Sequence, residues 1–168
     1  MYPSDDAIFD ISPILSGEQK SISTERVYQF DFSGLEIVCA EPVRVFATAN
    51  NNSGYMLLSL TISVRYTAVC ARCLSQINRN DNLDFTYPVA VSLDNEDTDE
   101  FVLAPEGKIN LSEAVSSSLF LNLPMRFLCK EDCKGICPKC GKNLNSGDCS
   151  CSKAERDARL AGLGEFFK

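Results

Sequence analysis

Histidine and tryptophan are absent from all 168 residues, and the missing histidine excludes the most. Without an imidazole there is no Ser-His-Asp triad, no Cys-His dyad, no Cys2His2 finger and no proton shuttle that titrates near neutrality. A catalyst built on cysteine would need some other base. Basic residues are also scarce, 16 Lys and Arg against 23 Asp and Glu, for a formal charge of −7. That balance argues against a broad cationic surface, because binding to phosphates draws its free energy from Lys and Arg releasing counterions. Any contact with nucleic acid has to be local. No apolar run approaches the ~20 residues that span a bilayer. The opening Met1-Tyr2-Pro3-Ser4-Asp5-Asp6 lacks the basic start and apolar stretch of a secretory signal. The expectation is a cytoplasmic protein with no membrane partner. Apolar residues make up 45% of the chain, enough for one compact domain with a small appendage.

Cysteine, in contrast, is plentiful, with nine residues. In a reducing compartment, cysteines at short spacings act more often as metal ligands or redox centres than as structural disulfides. Cys39 stands alone after Glu36-Ile37-Val38 and reads as a small core residue. Cys70 and Cys73 form a Cys-x2-Cys pair, and Cys129, Cys133, Cys137, Cys140, Cys149 and Cys151 crowd into the tail.

The first two-thirds reads as β-structure. Aromatics at Tyr28, Phe30 and Phe32 alternate with Gln29 and Asp31, the period of a half-buried strand. The strictest alternation runs from Leu58 to Tyr66, with Leu58, Leu60, Ile62, Val64 and Tyr66 on one face. Val43 to Ala47 is its expected partner, and Asn50-Asn51-Asn52-Ser53-Gly54 supplies the turn. Leu83, Phe85, Tyr87, Val89, Val91 and Leu93 alternate again. Pro88 within that run cannot donate to a ladder and predicts an edge position or a bulge. The run Asp94 to Glu100 reads as a solvated loop, since it lacks the ligand spacing and glycine of a calcium loop. Asn110 with Glu113 forms a capping-box-like helix start, followed by a face of Leu111, Ala114, Val115, Ser118, Leu119 and Asn122 that ends near Leu123-Pro124. Ser152 with Glu155 predicts a last short helix. The fold class is therefore α+β, a mainly antiparallel sheet with one or two short helices and a C-terminal cysteine-rich zinc knuckle. Residues 1–123 form an acidic β-domain closed by a helix at about 110–123, and 124–168 form the tail, packed on it as one compact unit.

Cys137-Pro138-Lys139-Cys140-Gly141 has the shape of a zinc knuckle. Two thiolates three positions apart can reach one ion across a tight turn, and the glycine lets the backbone fold back. Its companion pair is Cys149-Ser150-Cys151. Four sulfurs without imidazole favour a closed, structural tetrahedral zinc site. Cys70, Cys73, Cys129 and Cys133 are left for a second ion, which would close a loop of about 55 residues. Two readings stay open beside it: a reduced pair without metal at Cys70 and Cys73, and Cys133 serving the knuckle in place of Cys149 or Cys151. Cys70-Ala71-Arg72-Cys73 also has thioredoxin-like spacing, with Arg72 able to depress a thiol pKa, but it lacks the surrounding βαβ pattern.

Several segments together resemble the bacterial YceD family. They are Cys70-Ala71-Arg72-Cys73-Leu74 after a strand, the Ile109-Asn110-Leu111-Ser112-Glu113 helix start, its Leu121-Asn122-Leu123-Pro124 ending, and the run from Cys129 through Asn145 with Cys149-Ser150-Cys151. Members are described as large-subunit ribosomal RNA accumulation proteins. The resemblance implies a non-catalytic role in 23S ribosomal RNA accumulation and 50S subunit assembly, with no small-molecule substrate. Some relatives lack most of the tail cysteines, which implies that zinc is a local stabiliser.

The charge is unevenly divided. Residues 1–123 carry seven basic and seventeen acidic groups, and 124–168 carry nine and six. In the tail, Arg126, Lys130, Lys134, Lys139, Lys142, Lys153, Arg156 and Arg159 are candidates for contact with RNA or a partner. Either the tail touches a 23S rRNA precursor, or the acidic β-domain holds a basic ribosomal protein or assembly factor of the large subunit. The rival reading is a zinc-dependent or Cys-x2-Cys thiol-redox protein unrelated to ribosomes. No nucleophile–base pair supports an enzyme.

Overall fold

The computed structural model describes residues 7–32, 37–39, 41–92 and 100–151. The acidic run at 94–99, the helix expected from Ser152, and Lys153, Arg156 and Arg159 lie outside the described residues. Strand β1 (Ile8–Asp10) leads into a single helical turn, α1 (Ser12–Leu15). Then come β2 (Ser21–Tyr28), β3 (Ile37–Val38), β4 (Val43–Asn52), β5 (Tyr55–Val69), β6 (Gln76–Ala90), β7 (Val102–Leu103), β8 (Lys108–Asn110) and α2 (Leu111–Asn122).

The main sheet has the order β2-β4-β5-β6-β7, with β3 added beside the far end of β5, while β1 and β8 form a separate antiparallel pair. The β2, β4 and β5 ladders are antiparallel, and β6 with β7 is the parallel exception. The β4–β5 turn is tighter than the polar run suggested. β4 continues to Asn52, and Ser53 and Gly54, at φ 56° and 93°, make a two-residue hairpin turn whose twist suits the flanking strands. The side chain of Asn51 accepts from the Gly54 N–H at 2.8 Å.

Register assigns the faces. Val45 opposes Ile62, Ala47 opposes Leu60 and Ala49 opposes Leu58. All six are buried, as are Val43 and Val64, so this surface of the sheet is core. Ile11, Ile14, Ile109, Leu111, Val115 and Leu119 supply the helical and β1–β8 share of the buried set. The N-cap works as the sequence implies, with Asn110 Oδ1 accepting from the Glu113 N–H at 3.2 Å. Ser118 is a buried polar residue on that helix; its hydroxyl meets Tyr87 Oη at 2.9 Å and donates to the Ala114 carbonyl at 2.7 Å.

Three sequence expectations shift. The strand expected at 28–32 lies earlier, at Ser21–Tyr28. Phe30 and Phe32 sit beyond it, in a chain of ring contacts from Tyr28 through Phe30 and Phe32 to Phe120 of α2, with centroids 5.6–6.0 Å apart. The strand expected from Leu83 begins at Gln76, because its polar first half is paired through side chains: Thr67 with Asn78, Ser63 with Asn82 and Thr61 with Asp84, at 2.7–3.0 Å. Cys39 is only half-buried, and burial raises its thiol pKa. At Pro88 the strand has only β5 beside it, since pairing with β7 begins at Val89.

Two compact units emerge, Met1–Ala68 with Asn78–Met125, and Val69–Ile77 with Arg126–Lys168. The loop carrying Cys70 and Cys73 thus groups with the tail, although it lies within residues 1–123.

Candidate metal centre

The second unit has little conventional core. Its buried cluster is Cys70, Cys73 and Cys133, with the partly buried Ile77, Leu128 and Ile136 packed against it. Sulfur occupies the place that aliphatic side chains hold elsewhere.

The β5–β6 connection presents the first pair. Cys70 N–H donates to the Ser75 carbonyl at 2.9 Å, and Leu74 N–H donates back to the Cys70 carbonyl at 2.9 Å. Leu74 takes φ 59° at the fifth position. Cys137 to Gly141 repeats this loop: the Gly141 N–H donates to the Cys137 carbonyl at 2.8 Å, with Gly141 at φ 72°. Only the second loop uses the residue that reaches the left-handed region without steric cost. Ala71 N–H, donating to the Phe127 carbonyl at 2.9 Å, ties the first loop to the start of the tail.

These turns converge the thiols into two quartets. The sulfurs of Cys70, Cys73, Cys129 and Cys133 all lie within 4.8 Å of one another, and so do those of Cys137, Cys140, Cys149 and Cys151. Cys133 stands in the first quartet. Its sulfur is 3.8 Å from that of Cys70, and Cys73 is 3.6 Å from Cys129. A tetrahedral ion with metal–sulfur bonds of about 2.3 Å sets its ligands about 3.8 Å apart. A disulfide needs about 2.05 Å, and all nine cysteines are free thiols. Both quartets could therefore hold a metal ion, and four sulfurs without oxygen or imidazole suit a soft or borderline cation.

The thiols of each quartet are electrostatically unequal. Burial pushes the Cys70 thiol up, but backbone N–H groups of Cys129, Cys73 and Arg72 directed at its sulfur outweigh that and bring it down to about 6. Cys137 also falls to about 6, chiefly because the Cys140 and Lys139 N–H groups point at it. Cys129, hydrogen-bonded to Cys133 and partly desolvated by its neighbours, is pushed up to about 12. Cys151 rises to about 12 beside Cys140. Without a cation, each quartet gives up one proton easily and holds another tightly, as clustered like charges must.

Side chains outside the quartets hold them in place. Asn145 lies in the loop between Cys140 and Cys149, yet its amide donates to the Cys133 sulfur at 3.2 Å and its carbonyl accepts from the Lys134 N–H at 3.0 Å. Asn143 orients it, accepting from both the Asn145 backbone and its side-chain amide at 2.9 Å. Asn145 therefore links the two quartets. The sequence showed a run of turn formers here, and nothing in the spacing pointed to a sulfur partner. Arg72 donates to the carbonyls of Glu131 and Cys133 at 3.2 and 3.0 Å, so its guanidinium pins the turn between Cys129 and Cys133. Gly135, at φ 75°, passes so close to the Arg72 carbonyl that a Cβ would sit 3.1 Å from it.

Of the basic residues expected to meet a partner, Arg126, Lys130, Lys134, Lys139 and Lys142 are all exposed. Lys130 turns onto Asp132 at 3.8 Å, and Lys142 donates to the Asp148 carbonyl at 2.8 Å.

Fold and site together define a class: a mostly antiparallel α+β protein with two paired-loop thiol clusters capable of holding metal. The chain belongs to the family described as large ribosomal RNA subunit accumulation protein YceD, which matches residues 58–167. It is 25% identical over 145 residues to an uncharacterized protein of Mycobacterium leprae, covering 82% of this chain and 67% of that one. It is 30% identical over 95 residues to one of Mycobacterium tuberculosis, 54% of this chain and 46% of that protein. A third relative, at 35% over 69 residues, is the chloroplastic large ribosomal RNA subunit accumulation protein YCED homolog 1 of Arabidopsis thaliana, with 40% of this chain and 22% of the plant protein aligned. The chain thus spans less than half of the last two relatives. No solved structure matches. No helix among the described residues is long and apolar enough to cross a membrane.

Proposed function

We propose that this protein is a non-catalytic factor in 23S rRNA accumulation and 50S subunit biogenesis, that it acts by binding an rRNA precursor or a large-subunit protein or assembly factor, and that both quartets hold structural zinc. One observation carries the reading: the family match at residues 58–167 spans all eight clustered cysteines, so the thiol quartets belong to the part of the chain that the family defines. Their chemistry supports a scaffold. Four sulfurs leave a tetrahedral ion no open position for water.

Depletion of the protein in its cytoplasm, followed by sucrose gradients and 23S precursor mapping, is expected to show fewer 50S particles and accumulated precursor. Normal 50S levels with normal 23S ends would remove the proposal.

Zinc loading is expected to follow pH in a defined direction. Zinc requires thiolates, so protons compete with it. Below pH 6, Cys70 and Cys137 regain the protons that their lowered pKa values release above it, and affinity falls. Near pH 7, Cys129 and Cys151, held up at about 12, must still lose protons to bind. Competition titrations against a chromophoric chelator should therefore show affinity rising through the neutral range with net proton release. A pH-independent affinity would mean that the thiols are not the ligands.

A further inference from the structure

The loop between Cys140 and Cys149 serves two sites at once. Its ends are ligands of the second quartet, and at its middle is a single turn, Leu144–Ser146. Three contacts fasten this stretch to the segment that carries Cys133. The Leu144 N–H donates to the Gly135 carbonyl at 2.9 Å, Asn143 pairs with Ile136 in an antiparallel bridge, and the Asn145 side-chain carbonyl accepts from the Lys134 N–H at 3.0 Å. Beside them, the Cys137 N–H donates to the Lys142 carbonyl at 2.9 Å. Residues 133–137, bounded by one ligand of each quartet, are therefore held to 142–145 as one piece.

Cys70 takes its N–H donors from Cys129, Cys73 and Arg72, and Cys137 takes its own from Cys140 and Lys139, all of them beside ligands of the same quartet. Cys133 is different. The amide that donates to its sulfur at 3.2 Å belongs to Asn145, in the loop of the other quartet. Four thiolates around a divalent ion leave a net charge of about −2, and an N–H directed at one of them lowers its energy. Outer contacts of this kind are worth about 10- to 100-fold in metal affinity. This one is available only while its loop is ordered, and ordering costs conformational entropy. Metal in the second quartet fixes both ends of the loop and so holds the amide in place.

We infer that the two quartets load metal cooperatively and that Asn145 is the positioning residue that couples them. The inference rests on the proposed zinc loading of both quartets. Metal in the second quartet raises the affinity of the first by holding the donor to Cys133, and linkage makes the converse effect equal. Asn143, accepting from the Asn145 amide at 2.9 Å, keeps that amide aimed. The coupling is expected to be about tenfold, the low end of what such donors contribute and within the usual range for coupled sites. Limiting zinc then favours empty and fully loaded chains over half-loaded ones.

The test is peptide-resolved thiol protection on the full chain. Free zinc is set by a chelator buffer, a pulse of N-ethylmaleimide marks unprotected cysteines, and mass spectrometry reads the zinc midpoint of each quartet. The quartet that fills at lower zinc is then disabled, by Cys70→Ser/Cys73→Ser or by Cys137→Ser/Cys140→Ser. The other is expected to need about tenfold more zinc. Asn145→Asp keeps an acceptor for the Lys134 N–H but loses the donor to sulfur, and in that chain the same disabling should change the midpoint little. Asn145→Ala, which adds no carboxylate, should behave alike. Cobalt(II) in both quartets reports on the donor itself: losing an N–H raises the sulfur donor level, so the thiolate-to-cobalt charge-transfer band should move to longer wavelength in both Asn145 variants. Independent filling in the unaltered chain overturns the coupling. A full shift that survives both Asn145 variants, or an unmoved cobalt band, overturns Asn145 as its carrier. If zinc protects neither quartet, the zinc reading falls and the coupling with it; if both fill independently, that reading stands and only the coupling falls.

Discussion

Stripping the metal with a strong chelator is expected to unfold residues 69–77 and 126–151 while leaving the main sheet folded. The second unit's buried cluster consists of three thiols with the partly buried Ile77, Leu128 and Ile136 packed against them, and Phe127 is the one large apolar side chain fully buried there among the described residues. Three partly buried aliphatic side chains and one buried ring supply only several kcal/mol, at about 1.5–3 kcal/mol for a fully buried one. Ordering the backbone opposes folding by about 1–2 kcal/mol per residue. A structural zinc site in a small module contributes about 10–16 kcal/mol of apparent binding free energy at neutral pH. On the proposed zinc loading, the metal is therefore expected to decide whether the unit folds. Amide hydrogen exchange on the full chain, before and after chelation, should show protection lost at Cys70, Leu74, Cys133 and Cys137 and kept across β4 and β5. Cys133→Ser sharpens the test, since native mass spectrometry should then count one ion where the wild type holds two. Protection that survived chelation throughout the tail would show that the quartets do not depend on metal.

The main sheet should fail for a different reason. Leu60 is 1% exposed and faces Ala47 across the ladder, a side chain too small to fill the volume that truncation would leave. Leu60→Ala is expected to destabilise the first unit by about 2–5 kcal/mol, combining lost transfer free energy with a residual cavity. Leu60→Met should cost less than about 1.5 kcal/mol. Phe46 is the control. It is larger but 51% exposed on the opposite face, so Phe46→Ala should change stability far less. Thermal denaturation of the three variants checks the order. If Phe46→Ala matched Leu60→Ala, the two faces of the sheet would have been assigned the wrong way round.

Some of this was legible in the residues alone. β5 announced itself because its inner face is uniformly aliphatic and its outer face is Ser, Thr and Arg. The start of α2 was readable because Asn110 and Glu113 are local partners. β2 was obscured: Ile22, Thr24, Arg26 and Tyr28 share a face with weak apolar contrast, and the aromatics just beyond drew attention to Phe30 and Phe32, whose contacts are with rings and not with a ladder. The first half of β6 was hidden because its asparagines are satisfied across the sheet by Thr67 and Ser63, a pairing invisible without register. The eight clustered cysteines stood out by spacing.

The Asn145 contact also bears on the order of events as the chain is made. The ligands of one quartet lie close together between Cys137 and Cys151, so that site can close as soon as the tail exists. The other must wait for Cys70 and Cys73, made early, to meet Cys129 and Cys133 across a loop of about 55 residues, a search with a larger entropic cost. Asn145 belongs to the loop of the fast site but donates to the Cys133 sulfur of the slow one. With metal in both quartets, closure of the local site is therefore expected to set in place a donor that orients a ligand of the distant site, so that this small unit assembles from its C-terminal end backwards.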